Sequence, residues 1–323
     1  MQRLIKPEDI PPSLWSPEGG VVHLAPSLVN TWRALLAHAN IYDKALLQTP
    51  DNIIGGMTKE ATDEHLAWRF SGSSARVQLG VLDPRGKLSA VSDAFARVFS
   101  GGVVLIADLP CGSGAALLTI LSTIAELRRE SRLPRQPLTV KIVGGEISES
   151  AREYAQIGIE HIKDSLAEQA IWVSAEFVHW NVLDKLSTGD LNRTLTIAGI
   201  GCTARILVLA NFSGFLESDS NWNKAKLQLE NIFINCRDNE SYAIWIEPQT
   251  NKVVRSGGLF AKLTRFINEL LKFKSEDSDQ DPIPVIELEG GKAEVQHPLR
   301  ADHKFNVALA IRRFTLPRTK VTE

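Results

Sequence analysis

Residues 103–121 read VVLIADLPCGSGAALLTIL. Val103–Ala107 is an unbroken apolar run of strand length, and it ends in Asp108. Gly112 and Gly114 then make a tight turn, and from Ala115 to Arg129 apolar residues recur at helical spacing. Glycine lets a backbone pass close to a ligand and take up angles that other residues avoid. The helix beyond it begins with unpaired N–H groups. A strand, a glycine turn and a helix in this order predict a nucleotide-like ligand at the carboxyl end of the strand.

On the C-terminal side of this stretch, strands and helices alternate. Strands are predicted at Leu138–Val143, Ile171–Val178, Ile206–Ala210, Tyr242–Ile246, Val285–Leu288 and Phe305–Phe314. Helices are predicted at Glu149–Leu166, Asn223–Asn235 and Leu259–Phe273. With Val103–Ala107 this makes seven strands. The pattern predicts an α/β fold with a doubly wound, mostly parallel seven-stranded sheet. The last two strands have no helix between them, so they are expected as a terminal antiparallel hairpin. Ser275–Pro284 is acidic and carries proline, which reads as an exposed loop. On the N-terminal side the pattern is mostly helical, over Ser27–Leu47 and Lys87–Phe99, with 65–80 starting helically and then running into glycine and serine. The expected division is an N-terminal helical cap, residues 1–100, and an α/β domain, residues 101–323.

The composition sets wider bounds. The 323 residues are 44% hydrophobic and 23% charged, which suits a chain with a sizeable core. A net charge of −2 argues against bulk electrostatic binding of nucleic acid, though not against a local basic patch. Cys111, Cys202 and Cys236 are far apart with no CxxC pair, so neither a disulfide framework nor a zinc site is expected. The start, MQRLIKPEDIPPSLW, lacks the apolar segment of a secretion signal. The longest clean apolar runs are five residues, against the roughly twenty of a membrane helix. A soluble, cytoplasmic protein with no membrane partner is the expectation.

Two ligands compete for the glycine turn. The dinucleotide fingerprint needs a third glycine where Leu117 stands, and an acid about 20 residues further on. The next strand-end acid, Glu146, lies 32 residues after Gly114, which disfavours NAD. Asp108-Leu109-Pro110-Cys111-Gly112-Ser113-Gly114 instead resembles the acid-x-Gly-x-Gly-x-Gly motif of the class I, Rossmann-like S-adenosylmethionine-dependent methyltransferases, with Pro110 in place of the first glycine. The resemblance covers residues 100–314 and implies S-adenosyl-L-methionine as cofactor. It implies that Glu146 binds the ribose hydroxyls, that Ile147 lies against adenine, and that Asn181 meets the adenine amino group with Val182 nearby. It sets Asn211 and Phe212, in ILVLANFSGFL, beside the methionine part and the acceptor.

The remaining candidates divide between packing and chemistry. Cys111 reads as a small residue under the turn rather than a nucleophile. His65, His161, His179, His297 and His303 show no metal spacing, and His65 or His179 are the only candidates should a base be needed. Trp68, Arg69, Phe70 and Arg76 belong either to a helix packed on the sheet or to a lid in which Arg76 pairs with the cofactor carboxylate or an acidic substrate. Lys292–Glu323 carries seven basic and three acidic residues, a solvated tail or a modest nucleic-acid edge. Trp15, Trp32 and Trp68 offer a possible protein contact. The expected activity is methyl transfer to an acceptor that is RNA, another macromolecule or a small molecule. The alternative is a methyltransferase-fold subunit without activity.

Overall fold

The computed structural model describes residues 3–50, 55–238, 240–249, 258, 261–266 and 289–316. The elements in chain order are β1 (Trp15–Ser16), β2 (Val21–Val22), α1 (Pro26–His38), α2 (Tyr42–Leu46), α3 (Lys59–Trp68), α4 (Phe70–Leu82), α5 (Ser89–Val98), β3 (Gly102–Asp108), α6 (Ala115–Arg129), β4 (Leu138–Glu146), α7 (Glu149–Ala167), β5 (Ile171–His179), α8 (Lys185–Ala198), β6 (Ala204–Ala210), α9 (Ser213–Glu217), α10 (Asn221–Asn235), β7 (Ser241–Pro248), β8 (Glu289–Gln296) and β9 (Lys304–Thr315).

All nine strands join one sheet in the order β1-β2-β8-β9-β7-β6-β3-β4-β5. β5, β4, β3, β6 and β7 are parallel neighbours. β9 runs antiparallel to both β7 and β8. The inner parallel strands β3, β6 and β7 are apolar, buried runs because helices cover both faces, whereas the edge strand β5 alternates. One face carries Trp32, Phe70, Phe95, Leu117, Ile124 and Ile159 in a shared core. The other packs Leu191, Leu195, Leu229 and Phe233 against Leu207 and Trp245.

Three expectations need correction. The sheet has nine strands rather than seven, because Val21 and Val22 extend it by pairing in parallel with Glu294 and Val295 of β8, with Trp15 and Ser16 beyond them. The N-terminal hundred residues are therefore not helical throughout. The hairpin strand β8 begins at Glu289, inside the stretch read as a connection, where Ala293 and Val295 alternate inward. The expected strand Val285–Leu288 lies outside the described residues, as do Ser275–Pro284 and all but 261–266 of the helix expected at Leu259–Phe273; 261–266 is helical.

The helical expectations also shift. The helix expected over Ser27–Leu47 is two, α1 and α2. Asn40 takes a left-handed φ of 56°, and the Ile41 N–H reaches back to the Leu36 carbonyl at 2.9 Å while that of Asn40 reaches Ala37 at 3.0 Å. This double bond pattern closes a helix and reverses the chain. The glycine and serine after residue 70 do not end a helix either. They build α4, which is buried nearly all round, including Ser71, Ser73, Ser74 and Gly80.

Candidate functional site

From β3 the chain winds outward through β4 to β5, then returns across β3 to lay down β6 and β7. The loops after β3 and β6 therefore diverge at the carboxyl ends of the strands, the place where open α/β sheets take their ligands. The sequence-predicted site residues converge on this edge.

Asp108 ends β3 with no exposed surface. Neither carboxylate oxygen has a hydrogen-bond partner among the described residues. Burial pushes its pKa up to about 8; the Leu117 amide, leaning toward it from the start of α6, opposes this, and the charge of Glu146 adds to it. Beyond Asp108 the turn is tied to the neighbouring strands. The Leu109 N–H donates to the Val208 carbonyl at 2.9 Å, and the Cys111 N–H donates to the Gly145 carbonyl at 3.0 Å. Half-buried Pro110 lies between these two anchors.

Gly112 has a φ of 49°, and a Cβ built on it would meet nothing within 4 Å. Its freedom from a side chain thus keeps space clear rather than relieving a clash. Gly114, at φ 81°, is different: a Cβ there would come within 3.2 Å of the Ala155 Cβ, so glycine lets α6 start hard against α7. Cys111 is buried under the turn, and burial raises its thiol well above the usual cysteine range, which leaves it a poor nucleophile.

Glu146 ends β4. Its Oε2 accepts the Gly112 N–H and its Oε1 accepts the Ser148 N–H, each at 3.0 Å. Each carboxylate oxygen keeps capacity for a further donor. Arg152 Nη1 donates to the carbonyls of Glu146 and Ile147 at 2.6 and 3.0 Å, which fixes the backbone that follows. Ile147 is half-buried beside it. Ser148 caps α7 through its hydroxyl, which also contacts Thr62 Oγ1 of α3 at 2.9 Å.

After β5, Trp180 and Val182 are buried and Asn181 is half-buried. The Asn181 Oδ1 already accepts the Leu183 N–H at 3.0 Å, so one of its lone pairs serves the local turn.

Asn211 follows β6 at a left-handed φ of 56° and is exposed; its Nδ2 donates to Ser73 Oγ of α4 at 3.1 Å. Phe212 is buried among rings. It stacks on Phe215 at 5.6 Å and on Trp245 at 6.3 Å, with Trp180 tilted at 6.0 Å. Phe215 is the solvent-facing member, 44% exposed.

One charged group, Glu247, was not resolved as a site residue from the sequence. Glu247, near the end of β7, is 1% exposed and takes four donors: Trp245 Nε1 at 2.7 Å, and Phe212 N, Ser213 N and Ser213 Oγ at 2.8 Å each. An acid closing the buried run YAIWIE was its only sequence signal. Arg69 and His65 face Arg76 electrostatically. His65 is pushed down to about 4, first by burial and then by the two arginine charges, so it is neutral at neutral pH. Arg76 is lowered to about 10, chiefly by burial, with Glu247 opposing and Arg69 adding. His179 ends β5 exposed, paired in register with Glu146.

No helix among the described residues is long and apolar enough to cross a membrane. No protein-family model and no curated protein matches the chain. Solved structures do. The glycopeptide N-methyltransferase MtfA complexed with sinefungin is 11% identical, with 67% of this chain and 66% of that one covered at a TM-score of 0.24. An S-adenosyl-L-methionine-dependent methyltransferase described as putative, from Methanococcus maripaludis, is 11% identical over 78% and 95% at 0.26. A modification subunit of a type I restriction enzyme, also described as putative, from Vibrio vulnificus is 14% identical over 92% and 51% at 0.34. Similarities this loose carry no information about activity, so the geometry has to speak for itself. With β3 at the switch point, β4 and β5 to one side, β6 and β7 to the other, and an antiparallel pair beyond them, the chain has a doubly wound, mostly parallel, Rossmann-like α/β fold.

Proposed function

We propose that this chain is an S-adenosyl-L-methionine-dependent methyltransferase. One observation carries the reading. At the switch point, a buried carboxylate without hydrogen-bond partners, Asp108, stands beside a strand-end carboxylate, Glu146, that is oriented by the amides of Gly112 and Ser148, and the space over Gly112 is open. A buried polar group left without partners costs about 1–3 kcal/mol, and natural sites keep such a group for a ligand. The cofactor's groups suit the site: a diol for Glu146, and for Asp108 a cationic amino-acid end, whose charge would favour release of the proton that burial holds on the carboxyl.

In this reading Glu146 receives the ribose hydroxyls, with Ile147 and Val182 flanking the adenine and Asn181 at its edge. The turn from Asp108 through Pro110 to Gly114 holds the amino-acid end. Asn211 borders the transferring methyl, with Phe212 behind it and Arg76 on the acceptor side. The N-terminal region, residues 1–100, acts as a cap, since α3 and α4 reach this edge of the sheet through Thr62 and Ser73.

S-adenosylmethionine supplies a methyl on a sulfonium, which is already electrophilic. The protein's work is to hold an acceptor in line and to exclude water. Neutral His65 can take a proton from an acceptor that must lose one.

Calorimetric titration with S-adenosylhomocysteine and NAD tests the cofactor. Binding of the first without the second is expected, with loss of binding in both Asp108→Ala and Glu146→Ala. Unchanged binding in both variants would sink the site assignment.

A further inference from the structure

The cap brings together charges for which the cofactor site just described has no use. Arg76 sits on α4 one turn after Ser73, whose hydroxyl accepts from Asn211 at the end of β6. Arg76 is half-buried, and its Nη1 is buried with no hydrogen-bond partner among the described residues. The carboxylate whose charge it feels is Glu247. That carboxylate is already occupied by four donors from Trp245, Phe212 and Ser213. Arg69 brings a second positive charge, and His65 stays neutral beside both. A guanidinium with a buried, unused N–H, a second cation and a saturated counter-charge make a receptor for an oxyanion.

Strand order decides whose oxyanion it is. Glu146 ends β4 and Asp108 ends β3, so the cofactor lies over that side of the sheet edge. Glu247 ends β7, two strands beyond β3 with β6 between them. Adjacent strands are about 4.8 Å apart, so Glu247, whose charge Arg76 feels, stands roughly 10 Å from Asp108 across the sheet. That is the acceptor's side.

We infer that Arg76, with Arg69, forms an oxyanion subsite beneath the cap that recognises a carboxylate or phosphate of the methyl acceptor, and that the acceptor is a small acid. This rests on the proposed methyltransferase reading for the identity of the acceptor, but not for the anion site itself. The unused Nη1 has no exposed surface, so its anion has to reach in beside α4, which suits a small molecule better than a nucleic-acid backbone lying in an open groove. It selects against neutral analogues by leaving the guanidinium unpaired when they bind.

The test uses the full chain in two arms. In the first, ligand-observed NMR follows acetate, benzoate and inorganic phosphate, with benzamide as the neutral control, on protein with and without S-adenosylhomocysteine. At least one anion is expected to bind and benzamide to bind much more weakly. Arg76→Gln should weaken that anion by about tenfold or more, and Arg76→Lys by less, since it keeps the charge and loses the fork. In the second arm, S-adenosylhomocysteine and 5′-methylthioadenosine, which lacks the amino-acid end, are titrated into both variants. Unchanged affinities there support the inference. Three results would overturn it: no anion bound by the wild type, anion binding indifferent to both Arg76 variants, or a selective loss of S-adenosylhomocysteine in Arg76→Gln, which would give the arginine to the cofactor's own carboxylate. A single-stranded RNA that competes with the bound anion would equally overturn the small acceptor. Failure of S-adenosylhomocysteine to bind the wild type would count against the methyltransferase reading alone, since the anion arm is also run without it.

Discussion

A carboxyl group with no exposed surface and no hydrogen-bond partner is kept neutral by the cost of burying its charge, and Asp108 is such a group, with a pKa near 8. In the unfolded chain the same group ionises near its ordinary value of 3.8. Between those values the folded state holds a proton that the unfolded state has released, so this contribution to stability is full at low pH and falls as pH rises toward 8. Asparagine cannot ionise. The stability of Asp108→Asn relative to the wild type should therefore grow with pH from about 4 to about 8 and level off above, as read from urea midpoints at a series of pH values. The same variant should lose cofactor affinity. A gap that stayed flat with pH would show that Asp108 is ionised in the fold.

Gly112 offers the opposite dissociation of roles. A side chain there meets open space, so Gly112→Val should cost only the strain of a left-handed residue, about 1–2 kcal/mol, while closing the space over the turn. A variant that melts slightly early and no longer binds S-adenosylhomocysteine is expected; retained binding would move the ligand away from this turn.

At the scale of elements, α4 explains both what the sequence showed and what it hid. The strand β3, the turn and α6 were legible because apolar run, glycines and helical spacing follow one another without interruption. Helix α6 runs over Ala115–Arg129, as its apolar spacing predicts. Helix α4 was not legible past residue 70, because its small residues look like a loop until the neighbours are known. An added Cβ at Gly80 would come within 3.0 Å of Ile311 Cδ1 on β9, so α4 needs that glycine in order to lie close to the sheet. Gly80→Leu should destabilise the protein by roughly 1–3 kcal/mol and disturb the oxyanion subsite one turn away, measured by thermal melting and by anion titration together. Helix α8 was missed for a simpler reason. Only Ser187, Thr188, Leu191 and Leu195 of it are buried, too few apolar residues to mark a periodic face. At the site, Glu146 was legible as a strand-end acid, whereas the burial of Arg76 Nη1 and the saturation of Glu247 depend on contacts between α4, β6 and β7 that no spacing in the chain reveals.

For the whole molecule, the buried titrating groups predict a shape for stability against pH. His65 and His297 are both lowered to about 4, chiefly by burial, while their unfolded forms protonate near 6.5. Between those values the unfolded state binds more protons, so the two histidines make stability rise with pH from about 4 to 6.5. Asp108 acts in the other direction over 3.8 to about 8. Asp83 and Glu247, both raised chiefly by burial, act with Asp108, and His23, lowered chiefly by burial, acts with the two histidines, so the histidines shape the acid side of the curve and the carboxyls its fall toward higher pH. Replacing both histidines, as His65→Asn with His297→Asn, should flatten the acid side of that curve and leave the alkaline side in place.

The pairing of β2 with β8 joins Val21 to Glu294 and Val22 to Val295. During synthesis, the first strands therefore wait for a partner that leaves the ribosome some 270 residues later, on the order of tens of seconds at ordinary elongation rates. Until then Trp15 and Val22, both buried in the finished fold, have no sheet to join. The nascent chain thus carries a sticky early segment, and residues 15–22 fasten to the sheet only after residues 289–296 have been made.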